Sequence, residues 1–153
     1  MKSTVRSIRA SQPGTARIRF AHPALPMPTI HARPRWNHTK VILQPGKTYD
    51  VQVPPGQQWR DSGVKCGPEG FTNLLVAPFT PLLRVRAANG QRARFFTLIG
   101  TIGESLEHAF IIGNGTRFTA AMDGELVCFA NDVPWAYFNN KGSIEIHVRP
   151  SLD

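Results

Sequence analysis

Long apolar runs, paired cysteines and early acidic residues are all missing from this sequence. No run of about 18 apolar residues occurs among its 153, so it encodes no hydrophobic helix able to span a bilayer. The basic start, Met1 to Arg9, is not followed by the apolar core that a secretory signal needs. The expectation is a cytoplasmic protein, or one exported without a Sec-type signal. Cysteine is limited to Cys66 and Cys128, far apart and outside any CxxC or His-rich setting. That argues against a disulfide-dense scaffold and a zinc site, and points to buried free thiols. Catalytic patterns are missing too. His22, His31, His38, His108 and His147 are scattered, none in an HExxH or HxH motif or beside a nucleophile elbow, and no phosphate-cradling glycine loop is present. Asp50, Asp61, Glu69 and Glu104 have no spacing that identifies a glycosidase pair. The sequence reads as that of a non-enzyme.

Acidic residues are absent before residue 50. Residues 1–49 hold nine Lys/Arg and no Asp or Glu, whereas residues 50–153 hold nine basic and ten acidic residues, so the net charge of +8 comes from the N-terminal third. Such a segment suits an anionic surface or nucleic acid, although it lacks interleaved aromatics on which bases would stack. Pro13, Pro23, Pro26, Pro28 and Pro34 break it up. Only residues 15–20 alternate cleanly, which predicts one strand in an otherwise extended, proline-rich segment over residues 1–35, and a folded body over 36–153.

Helical periodicity is missing apart from one turn near residues 104–107. Short apolar or alternating runs occur instead, at 39–43, 48–53, 82–88, 92–99, 108–112, 117–121, 125–129 and 143–148. Turn signals separate them, among them Pro45-Gly46, Asn89-Gly90, Asn114-Gly115 and Asp123-Gly124. Many short strands at a spacing of about ten residues predict an all-β, antiparallel sandwich in a single domain. A two-residue turn at Asn89-Gly90 sets Ala88 opposite Gln91, which puts the flanking arginines on opposite faces of the hairpin. Residues 71–81 are apolar but contain Pro78 and Pro81. They read as a long loop, and an apolar loop is a candidate contact with another subunit or partner.

The stretch from Asn131 to Asn140 sets one carboxylate and three carboxamides between two apolar runs. Read alone, it is either a polar turn or an oxygen-rich half-shell for a hard cation such as calcium, which takes six to eight oxygen ligands.

Its surroundings carry a family likeness. Val41 to Pro45-Gly46, Gly67-Pro68-Glu69-Gly70, Phe96 to Gly103, Ala109 to Gly113, Gly124-Glu125-Leu126, and above all Asn131-Asp132-Val133-Pro134 through Asn139-Asn140-Lys141-Gly142-Ser143-Ile144 cover roughly residues 36–149. Together they resemble the bacterial calcium-dependent galactose-binding lectins of the LecA (PA-I) type, of which this chain looks like a divergent relative. The resemblance implies a jelly-roll-like β-sandwich with one calcium ion near its apex, its shell completed by sugar hydroxyls. Asp132, Asn139 and Asn140 would supply side-chain oxygens and Ala136 a backbone carbonyl. A further carbonyl would come from the 57–62 loop, at Arg60 when counted from Gly67-Pro68 and at Ser62 when counted from Trp59; Arg60 is the choice made. Asp132, Val133, Trp135, Asn139 and Asn140 would meet a galactose-like or other diol-bearing sugar, and several sites in a homo-oligomer would add avidity. The chain departs from these lectins in its apolar 71–81 loop, which lacks their sugar-contacting His and Gln, and in Trp135 and Phe138, which stand where they have glycine. Two other readings compete: a β-sandwich assembly module whose metal is structural or absent, and an anionic-surface or nucleic-acid binder acting through the N-terminal segment.

Overall fold

The computed structural model describes residues 27–152; the strand expected at 15–20 lies outside them. Within the described residues the first strands are β1 (Thr29–His31), β2 (Asn37–Leu43), β3 (Thr48–Gln52), β4 (Trp59–Asp61), β5 (Val64–Cys66), β6 (Glu69–Phe71), β7 (Ala87–Ala88) and β8 (Gln91–Arg92). There follow β9 (Phe95–Ile102), β10 (Phe110–Ile111), β11 (Gly115–Thr119), β12 (Gly124–Ala130), β13 (Asn140–Glu145) and β14 (His147–Pro150). Three short 3-10 turns, Ala77–Leu82, Leu106–His108 and Tyr137–Asn139, are the helical elements among the described residues. The expected all-β class is what the chain adopts.

The strands form the sandwich by pairing far along the chain. One layer is the sheet β10-β9-β12-β2, with β6 added to β9. The other is made by β1-β13-β4-β5 and β11-β3-β14. β13 and β14 flank the buried Ile146, whose N–H donates to the Pro28 carbonyl at 3.0 Å. Between the layers lie Ile30, Leu43, Val51, Trp59, Phe96, Leu98, Leu126, Ile144 and Ile146. Burying an aromatic or branched side chain of this size contributes roughly 1.5–3 kcal/mol. Because β1 pairs with β13, from Thr29 opposite Glu145 to His31 opposite Ser143, part of the segment read as an extension belongs to the folded body.

β9 is buried along all eight residues, although an antiparallel strand usually wets one face. Its outer face has a cover of its own. Ile99 and Phe129 turn away from the main core and pack with Val85, Ala93 and Trp36. The hairpin of residues 84–94 thus roofs the five-stranded sheet. It turns at Asn89 (φ 54°) and Gly90 (φ 72°), with Ala88 opposite Gln91 as its sequence predicts.

The Gly67-Pro68-Glu69-Gly70 motif is explained by close backbone approach. Gly70 has φ 78°, and a Cβ there would fall 2.2 Å from the Phe95 carbonyl oxygen and 2.6 Å from the Thr97 nitrogen. The motif fastens β6 to β9, where the Leu98 N–H donates to the Pro68 carbonyl at 2.8 Å. Gly70→Ala should therefore cost about 2–4 kcal/mol in denaturant unfolding. Gly46→Ala, at φ 75° with open space around it, should cost only about 1–2 kcal/mol; equal costs would contradict this account of the motif.

Candidate functional site

Residues 131–139 connect β12 to β13, and their path is set by side chains that are fully used. Asn131 is completely buried. Its Oδ1 accepts the Val85 N–H at 3.1 Å, and its Nδ2 donates to the carbonyls of Val85 at 2.7 Å and Arg94 at 3.0 Å. It brackets the loop to the roofing hairpin and has no oxygen to spare. The Arg84 N–H adds a bond to the Asp132 carbonyl at 3.1 Å.

Arg84 is the second fastening. Its guanidinium lies 4.4 Å from the Trp36 ring centre and 4.0 Å from that of Phe129, with Tyr137 at 5.3 Å. It donates to the Arg35 carbonyl at 2.7 Å and to the Tyr137 hydroxyl at 2.8 Å. That hydroxyl donates in turn to the Ala130 carbonyl at 2.6 Å. Burial pushes the Tyr137 phenol up to about 12, so it remains a donor at any physiological pH. Arg35 also donates to the Pro134 carbonyl. With Tyr137 held, the 3-10 turn that it opens returns Asn140 to Asp132.

The result is a crowd of acceptors. Asp132 is 1% exposed; its Oδ1 accepts the Val133 N–H at 2.7 Å and its Oδ2 accepts an Asn140 Nδ2 hydrogen at 3.0 Å. Asn140 spends its other amide hydrogen on the Ala32 carbonyl at 3.2 Å. The Oδ1 atoms of Asn139 and Asn140 are left buried without a hydrogen-bond partner. Reversing the Asn140 amide would set its oxygen against the Asp132 carboxylate and the Ala32 carbonyl, two acceptors, so the orientation is fixed by its neighbours. Buried polar atoms are nearly always satisfied, and two unpartnered amide oxygens, one of them on a residue bonded to a buried carboxylate, call for a positive partner. Among the described residues no Lys or Arg forms an ion pair with Asp132.

A second carboxylate joins them. Asp61 pairs directly with Asn140 across β4 and β13, and opposed residues of an antiparallel pair share a face. Burial, with a contribution from the charge of Asp132, pushes its acid up to about 6. Burial likewise raises Asp132, against the opposing pull of its bonds from Asn140 and Val133. In the sequence Asp61 was considered only as a carboxylate of a glycosidase pair, not as a cation ligand. Its signal was parity: it lies two residues after Trp59, a core residue, and so faces inward with it.

The other expected residues fall unequally around this centre. Ala136 opens the turn Tyr137–Asn139. Trp135 and Phe138, 61% and 70% exposed, stand on the surface of the same loop. Val133 packs its side chain with Leu83 and Phe95, and its N–H is held by Asp132. Arg60 sits in the middle of β4 between Lys141 and Lys65; one residue from Asp61, its side chain points to the opposite face. The 71–82 segment lies alongside, with Val76 packed on the Leu83, Phe95 and Val133 cluster and Leu74, Leu75 and Phe79 exposed. Cys66 and Cys128 are buried free thiols, as expected.

Carboxylates and amide oxygens are donors suited to a hard cation, such as calcium, rather than to zinc. Among the described residues no group of three or more His, Cys, Asp or Glu side chains that could hold a metal ion comes together.

No family model and no curated protein matches the chain. Among solved structures it is similar to a domain described as "EclA N-terminal domain; PllA-like lectin", with 16% sequence identity and a TM-score of 0.59, over 84% of this chain and 98% of that one. At that identity the likeness concerns the fold.

The raised Asp61 acid has a testable consequence. The folded protein keeps a proton that the unfolded chain releases near pH 4. Its contribution to stability is fully present below about pH 4 and is lost as pH rises through about 6. In chelator, the melting temperature should fall between pH 4.5 and 7, and Asp61→Asn should flatten that decline. An unchanged decline in Asp61→Asn would refute the assignment.

Proposed function

We propose that this protein binds carbohydrate, without catalysis, through a calcium ion held at Asp132, Asn139 and Asn140. The observation that carries the reading is that the buried amide oxygens of Asn139 and Asn140 have no partner, while Asn140 is bonded to the buried Asp132 carboxylate. The lectin-like fold of the similar solved domain supports the carbohydrate half.

Asp132 and the Oδ1 atoms of Asn139 and Asn140 would hold the ion, with the Ala136 carbonyl. Asp61 is a further carboxylate donor on the same face, where the resemblance put the carbonyl of Arg60. Calcium, when bound, offers open positions to two neighbouring hydroxyls of a sugar. The protein residues do the rest. Asp132 and the carboxamides accept or donate hydrogen bonds to the same hydroxyls, which reads their relative geometry. Trp135 and Phe138 offer exposed ring faces beside the site, on which the apolar side of a galactose-like or other diol-bearing pyranose packs. Arg84, Tyr137 and Asn131 hold the loop in shape before ligand arrives, which lowers the ordering cost of binding.

A second reading has its own support. Leu74, Leu75 and Phe79 leave an apolar segment exposed next to this loop, which fits contact with another copy of the chain and multivalent display.

Calcium titration calorimetry and a glycan array run with and without chelator test the proposal. Glycan retention should require calcium, and Asp132→Asn should weaken calcium binding by at least about 10-fold and abolish retention. Retention that survives both chelator and Asp132→Asn would overturn it.

A further inference from the structure

The outer face of the sheet that carries Asp61 and Asn140 holds a row of charge that the cation centre does not use. Register sets Lys141 opposite Arg60 and Arg60 opposite Lys65, on three adjacent strands. The three side chains ring a shallow depression with Gln58, floored by Trp59 and Gly142. Strands lie about 4.8 Å apart, so the row is roughly 10 Å long. None of the three has a hydrogen bond or ion pair with a described residue. Residues 1–26 contain no Asp or Glu that could neutralise them.

The same layer contains an instructive contrast. In the sheet β11-β3-β14, register sets Arg117 opposite Asp50 and Asp50 opposite Arg149. There the sequence of charges is plus, minus, plus, and Asp50 accepts from Arg117 Nε at 2.8 Å and lies 4.0 Å from Arg149 Nε. The arginines hold its carboxyl below the usual range. Across β13, β4 and β5 the sequence is plus, plus, plus. Directly opposed like charges destabilise a sheet, and an anion laid across the row supplies what Asp50 supplies in the other.

We propose that the Lys141–Arg60–Lys65 row binds the sulfate groups of a sulfated polysaccharide. Arg60, at the centre, offers the planar fork that engages two oxygens of a tetrahedral anion, flanked by two ammonium groups. The row carries no exposed aromatic side chain on which a nucleic-acid base would stack. Its length suits one or two anionic groups rather than a long phosphate backbone. The site is separate from the cation centre and needs no calcium.

The test uses the full chain in chelator, titrated with a heparin-derived oligosaccharide, its desulfated form and a single-stranded DNA of equal charge, at several salt concentrations. Binding of the sulfated sugar is expected, with a slope of log affinity on log salt near about 2–3. Lys65→Ala with Lys141→Ala should lower that slope by about 2. Arg60→Glu rebuilds the plus, minus, plus pattern, so it should fold at least as stably as the parent and lose the sulfated ligand. Equal binding by parent and variants, no preference for the sulfated over the desulfated sugar, or DNA bound as tightly as the sulfated sugar would overturn the proposal.

Discussion

Gathering acceptors that outnumber the donors beside them, with no positive charge to balance them, is unfavourable anywhere in a protein, and most of all where water is excluded. Asp132, Asp61 and Asn140 are brought together in that way, and the unpartnered amide oxygen of Asn139 belongs to the residue just before Asn140. The other features of the apex either impose this crowding or surround it. Without a cation, the carboxylate pair favours a retained proton; under the proposed function a bound cation would take the place of that proton. The cost of crowding is met by the fold, through cation–π contacts worth about 0.5–2 kcal/mol each and hydrogen bonds that leave Asn131 fully satisfied. The loop is held in a conformation that its acceptors oppose.

That holding depends on burying the five-stranded sheet from both sides. The hairpin over Phe129 and Ile99 presents Val85 and Arg94 to Asn131, and delivers Arg84 between Trp36 and Phe129. The core between the layers fixes β13 beside β4, which puts Asn140 against Asp61 and Lys141 against Arg60. One register therefore places an acidic centre on the inner side of two strands and a basic row on the outer side. A slip of one residue would exchange the two faces.

Much of this was legible in the chain. Alternation and turn dipeptides located the longer strands, and the Asn89-Gly90 hairpin has the pairing its two-residue turn demands. The short strands β1, β4, β5 and β6 carried too few residues to show a period, and their existence depends on partners distant in sequence. The 131–140 loop stood out by its oxygen-bearing residues, but composition could not separate Asn131, spent on backbone, from Asn139 and Asn140, whose amide oxygens are left unpaired. The burial of Val133 against Leu83 and Phe95 was not legible either, because tertiary packing decides its direction. Asp61 and the Lys141–Arg60–Lys65 row needed a register between distant segments that no local pattern supplies.

The most direct test is a crystal structure of the protein grown with calcium, with anomalous data to identify the ion. The account predicts a single anomalous peak with oxygens of Asp132, Asn139 and Asn140 about 2.3–2.6 Å away. Well-ordered density without such a peak, with both amide oxygens accepting hydrogen bonds from water or protein donors, would contradict it.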